Sequence, residues 1–131
     1  MAELPIRSGD DVVRVRQQVR NAAADNGLSL VDQTKLVTAA SELARNTLVH
    51  GGGGVAQVEV VKSATGRMGV KLQFTDEGPG IADVDLALTD GWSSGNGLGL
   101  GLSGTRRLVD EFELTSKPGA GTTVMVVKWS R

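Results

Sequence analysis

The chain has 131 residues, 14 basic against 15 acidic side chains, a formal net charge of −1 and no cysteine. Near-neutral charge excludes a general electrostatic grip on nucleic acid or an anionic membrane surface. The absence of cysteine excludes disulfides, thiolate metal centres and a cysteine nucleophile. This length fits one domain, residues 1–131, with little room for a second. With two Trp, two Phe and no Tyr, the core must be built mostly from Val, Leu and Ala. The N-terminal stretch "MAELPIRSGDD" has no apolar run of signal-peptide kind, and no segment is long enough to span a membrane. The expectation is a soluble, cytoplasmic domain.

In chain order, Leu4 to Arg7 reads as a short strand, and Pro5 suits a sheet edge. Val12, Val15, Val19 and Ala22 recur at helical spacing, with Ser8 or Asp10 as cap and Gly27 as stop. Ser29 and Asp32 have the spacing of a capping box, with Asp in place of Glu or Gln. They open a second helix whose inner stripe is Leu36, Ala40, Leu43 and Thr47, ended by "HGGGG" (His50 to Gly54). "VAQVEVVK" from Val55 and "MGVKLQFTD" from Met68 read as two strands, the second alternating Val70, Leu72 and Phe74 with Lys71, Gln73 and Thr75. "SATG" (Ser63 to Gly66) joins them as a hairpin. Gly78 to Gly97 is turn-rich and polar, with one weak helical turn around Val84 to Leu88. "LSGTRRLVDEF" predicts a third long helix, and "FELTS" and "TTVMVVKW" predict two closing strands around the turn "KPGAG". The order β-α-α-β-β-loop-α-β-β describes an α+β fold, a two-layer α/β sandwich with helices over one face of a mostly antiparallel sheet. The order of the strands within the sheet is left open.

Four stretches carry candidate chemistry. Half of "GNGLGLGLSG" (Gly95 to Gly104) is glycine. Gly99, Gly101 and Gly104 match the dinucleotide spacing G-x-G-x-x-G, but the run follows turn residues, not a buried strand, so that reading is rejected. What remains is a glycine-rich loop entering a helix, a place where backbone N–H groups can meet an anion, or else a plain surface loop. Glu42 and Asn46 lie four residues apart in "SELARN", on one helix face beside the apolar stripe. A carboxylate and a carboxamide so placed could activate a hydroxyl and ligate Mg²⁺, or could form an ordinary solvated face. In "TDEGPGI" (Thr75 to Ile81), Asp76 stands at a strand end before a sharp Gly78-Pro79-Gly80 turn, able to accept from an exocyclic amine, with Ile81 as an apolar wall. "GAGTTV" is a hairpin whose Gly121 and Thr122 could line a pocket floor.

Together, in this order, these motifs resemble those of the GHKL (Bergerat-fold) ATP-binding family, over essentially the whole chain. Among its members, the chain looks most like the free-standing anti-sigma and switch serine/threonine kinases of bacteria. A histidine kinase would need a dimerising helix pair carrying a phosphoacceptor histidine, and the sole histidine here, His50, lies at a helix end. The resemblance implies ATP and Mg²⁺ as cofactors and a mixed, mostly antiparallel sheet. It implies Glu42 as the general base, Asn46 as the Mg²⁺ ligand and Asp76 as the adenine-selecting acceptor. It also implies Gly78, Gly80 and Ile81 beneath the base, Gly97, Gly99 and Gly101 against the phosphates, Thr122 near the adenine, and a lid over residues 82–97. No Lys or Arg occurs between Lys71 and Arg106, so a cation for the γ-phosphate would come from Arg45, Arg106, Arg107 or the partner. The implied substrate is a serine or threonine of a small STAS-domain antagonist or scaffold protein. The freed kinase would then activate a PP2C-type phosphatase. The alternatives are an anti-sigma kinase that holds a sigma factor directly, and an ATP-binding adaptor that transfers no phosphate. Neither nucleic acid nor a membrane is an expected partner.

Overall fold

A computed structural model describes residues 1–80 and 101–131. The elements are β1 (Ala2–Ile6), α1 (Gly9–Asp25), α2 (Leu30–Val49), β2 (Gly54–Lys62), β3 (Met68–Asp76), α3 (Gly101–Arg107), β4 (Glu111–Ser116) and β5 (Thr122–Trp129). The strands form one sheet in the order β1-β2-β3-β5-β4. All of its described pairings are antiparallel. The expected lid and the helical turn at 84–88 lie outside the described residues.

Strand placement follows from burial. β5 buries Val124, Val126, Val127 and Lys128, which suits an interior position. β4 turns Glu111 and Glu113 outward, charges that suit an edge. β1 forms the other edge and holds Pro5 opposite Val55. Phe74 pairs with Val124 and Leu72 with Val126, all buried on the face that meets α1 and α2. Val15, Val19 and Ala23 of α1 and Leu36, Ala40 and Leu43 of α2 complete this core. In α1 the stripe therefore ends on Ala23, with Ala22 only half-buried.

The helix ends are decided locally. α1 closes when Gly27 (φ +83) lets its N–H reach Ala24 and the Leu28 N–H reach Ala23, at 3.4 and 3.1 Å. At the start of α2 only half of the capping box forms. Ser29 Oγ accepts from the Asp32 N–H at 3.1 Å. The Asp32 carboxylate lies near Lys128 Nζ, at 3.6 Å, and Arg131 Nε, at 3.5 Å. The same two cations meet Asp110, at 3.7 Å from Lys128 and 2.7 Å from Arg131. Two carboxylates and two cations thus balance where α2 begins and β5 ends.

The third helix is shorter than expected. It stops at Arg107, and the Leu108 N–H closes a tight turn on Thr105 at 3.0 Å. The next residues are drawn into the sheet. The Asp110 N–H bonds Val127 O at 2.9 Å, and its carboxylate accepts from the Trp129 N–H at 2.8 Å. Val109 and Phe112 still pack on the core, so the apolar pattern serves a loop and a strand as well as it would a helix.

Lys128 is only 4% exposed, yet it sits between two carboxylates. Lys128→Ala should cost about 3–5 kcal/mol, because it removes the buried cation between Asp32 and Asp110 and leaves Asp32 with the exposed Arg131. Arg131→Ala, at the solvated side of the cluster, should cost far less. Denaturant midpoints of the two variants check this ordering.

Candidate active site

α2 lays its apolar stripe on the sheet, and this turns Glu42 and Asn46, one helical turn apart, along the flank of the interface. The Glu42 side chain is 12% exposed. Its Oε2 is buried and finds no hydrogen-bond partner among the described residues. Its Oε1 is 3.9 Å from Arg45 Nη1, too far for more than a loose ion pair. Burial raises the Glu42 carboxyl above its ordinary 4.5, and the nearby Arg45 charge only partly opposes this. An orphaned buried carboxylate oxygen is costly and is therefore a marker of function.

The second half of the site lies at one end of the sheet. Asp76, the last residue of β3, stands between Gly54 of β2 and Thr122 of β5 in the strand register. Its Oδ1 accepts from the Gly78 N–H at 2.8 Å. Gly121, with φ +83, lies so close to the Asp76 carbonyl that a Cβ there would clash. Gly80, with φ +77, comes equally close to the Lys117 carbonyl. The Gly119 N–H donates to Pro79 O at 2.7 Å, so the turn after β3 is clamped to the turn between β4 and β5. Ser116 Oγ holds that second turn, 3.0 Å from Gly121 O and 2.9 Å from Thr122 Oγ1.

α2 reaches this end of the sheet through its C-terminus. Both the His50 and Gly51 N–H groups bond the Asn46 carbonyl, at 2.9 and 3.2 Å. Gly51 then lies directly against Asp76 and Gly78. The chain from Asn46 to Gly51 therefore links the flank of α2 to Asp76 through backbone.

The structure thus brings Asp76, Gly78, Gly80 and Thr122 together and sets Glu42 and Asn46 on one flank of α2. Gly101 opens α3 with φ +68, and its carbonyl accepts from Thr105 Oγ1 at 2.9 Å. Ile81, Gly97 and Gly99 lie outside the described residues. Sequence reading missed Gly51 and Ser116. The glycine run "HGGGG" reads as a helix stop, and only the fold shows which of its members touches Asp76. No group of three or more His, Cys, Asp or Glu side chains forms a metal cluster among the described residues. No helix among them is long and apolar enough to cross a membrane.

Comparison with known proteins identifies the family and the fold. Residues 31–130 match the family of histidine kinase-, DNA gyrase B- and HSP90-like ATPases. The chain is 45% identical to the serine/threonine-protein kinase RsbT of Bacillus subtilis, over 92% of this chain and 90% of that one. It is 33% identical to the anti-sigma F factor of Halalkalibacterium halodurans, over 74% and 69% of the two chains. In fold it resembles the crystal structure of the RsbU and RsbW domains of Rv1364c from Mycobacterium tuberculosis, with a TM-score of 0.64 and 23% identity, covering all of this chain and 33% of that one. The chain therefore belongs to the histidine kinase-, DNA gyrase B- and HSP90-like ATPase family, and within it is an ATP-using serine/threonine protein kinase of the anti-sigma and switch type.

Proposed function

We propose that this kinase transfers the γ-phosphoryl group of ATP to a serine or threonine on a small STAS-domain antagonist or scaffold protein. Once released, it binds and activates a PP2C-type phosphatase in the cytoplasm. The observation that carries the catalytic part is the buried Oε2 of Glu42, which has no hydrogen-bond partner among the described residues. Binding ATP alone needs no such group, which weighs against a non-catalytic adaptor.

In this reading Asp76 selects adenine. Its Oδ1 is held by the Gly78 N–H, which leaves Oδ2 to accept from the N6 amine. Gly78, Gly80, Ile81 and Thr122 form the surroundings of the base, and Gly97, Gly99 and Gly101 the approach to the phosphates. Asn46 would hold Mg²⁺ through its carboxamide oxygen, with phosphate oxygens and waters supplying the remaining ligands. That donor set fits a single neutral protein ligand and needs no carboxylate cluster. Bound there, Mg²⁺ would neutralise charge on the β- and γ-phosphates. Glu42 orients the acceptor hydroxyl and takes its proton as the hydroxyl oxygen bonds to the γ-phosphorus. The bond from that phosphorus to the bridging oxygen breaks, and ADP leaves with the electron pair. A carboxyl with raised affinity for protons suits this role better than an ordinary exposed glutamate.

Similarity to the anti-sigma F factors favours a second reading, in which the kinase also holds a sigma factor directly. Affinity capture with purified STAS protein, PP2C-type phosphatase and sigma factor separates the two. Retention of the sigma factor without the phosphatase would overturn the first reading.

Glu42→Gln should keep ATP binding and lower phosphorylation of the STAS partner by about 100-fold or more. Equal rates in a labelled-ATP assay would remove Glu42 as the base. The same variant should be more stable than the parent at neutral pH. With a raised native pKa, Glu42 binds more protons folded than unfolded between about 4.5 and its native value, so stability falls as pH rises through that window. Glu42→Gln lacks this loss, and its advantage in melting temperature should vanish below about pH 4. Asp76→Asn should weaken ATP binding by about 1.5–3 kcal/mol, read by calorimetry, through loss of a charge-assisted bond.

A further inference from the structure

The run Gly51–Gly54 contains glycines of two physical kinds. Gly52 and Gly53 have φ of +73 and +110, a conformation that side-chain-bearing residues rarely adopt. Around Gly52 there is open space, so its requirement is conformational alone. Gly51 is the opposite case. Its φ lies outside the left-handed region, and its backbone would accept alanine. Room is what it lacks. A Cβ on Gly51 would overlap Asp76 Cγ, 2.5 Å from Asp76 Cβ and 2.6 Å from Oδ2. From the other side, a Cβ on Gly78 would lie 2.7 Å from Gly51 Cα and 3.0 Å from its carbonyl oxygen. The two glycine backbones are in contact, and that contact seats the Gly78 N–H on Asp76 Oδ1.

We infer that Gly51 is the positioning residue of the base-selecting carboxylate: its missing side chain lets the whole Asp76 side chain, from Cβ to Oδ2, seat against the end of α2, where Oδ2 meets the exocyclic amine. The inference rests on the reading of Asp76 as the adenine acceptor. A methyl group at position 51 overlaps Asp76 from Cβ to Oδ2, so turning the carboxylate does not relieve it: the end of β3 must move away from Gly51, and the carboxylate moves with it. What is lost is first of all discrimination. A purine with an amine at C6 and one with a carbonyl there differ at the atom that Asp76 reads. A displaced carboxylate can no longer tell them apart.

The test measures ATP and ITP affinities by calorimetry in the parent, Gly51→Ala, Asp76→Asn and Gly52→Ala. The expected result is at least a tenfold loss of ATP affinity in Gly51→Ala, and an ATP-to-ITP preference reduced to that of Asp76→Asn. Gly52→Ala should keep the parental preference, since it adds strain without reaching Asp76. If Asp76→Asn keeps the parental preference, the adenine reading itself fails. If Asp76→Asn loses the preference and Gly51→Ala keeps it, only the role of Gly51 is overturned. Should Gly51→Ala fail to fold, the double variant Gly51→Ala/Asp76→Gly is compared with Asp76→Gly alone. Recovery of folding to the level of Asp76→Gly supports the assigned clash, and a double variant that remains unfolded overturns it.

Discussion

The seating of α2 on the inner face of the sheet governs the rest of the molecule. Leu36, Ala40, Leu43 and Thr47 are all buried in that contact, with Leu72, Phe74 and Val126 in the sheet layer that they face. A helix has one rotation about its axis that buries such a stripe, and that rotation places every other side chain on it. Glu42 and Asn46 come to the flank because Leu43 and Thr47 go down. The end of the helix is set by the same contact. It delivers Gly51 to Asp76 at a separation that only hydrogen can fill.

The protein treats its buried carboxylates in two opposite ways. At the start of α2, Asp32 is matched by Lys128 and Arg131, and Asp110 closes the same cluster. Charges are balanced there, and the group ties together α2, the turn after α3 and the end of β5. Further along α2, among the described residues, Glu42 has one oxygen unpaired and only Arg45 near it, at 3.9 Å. Burial without pairing costs stability, and a carboxylate left in that state is ready to take a proton. One helix therefore carries a paired carboxylate at its start and, beyond its middle, the carboxylate proposed as the base. Their local sequences give little hint of the difference.

Much of this was legible in advance. The period-two pattern of Val70, Leu72 and Phe74 marked the face of β3 that meets the helices, and the helical spacing of Leu36, Ala40 and Leu43 marked the inner face of α2. Both patterns are local consequences of backbone geometry. The third helix was overestimated because "LSGTRRLVDEF" carries an apolar spacing that suits a helix. Its second half is claimed by bonds to β5, more than a dozen residues away, which no local pattern contains. Asp32 was read as a capping partner for the same reason, since Lys128 and Arg131 are nearly a hundred residues distant.

The sequence by itself determined most of the elements, the layer architecture, the family and the residues worth suspecting, because periodicity and motif order are written along the chain. Tertiary structure alone decided the strand order that puts β5 between β3 and β4, the pairing of Asp32 and the lack of a partner for Glu42 Oε2 among the described residues. It also decided which glycine of "HGGGG" serves for shape and which for room. Those outcomes depend on which distant atoms meet in space, and on the sub-ångström distances at which packed backbones exclude even a methyl group.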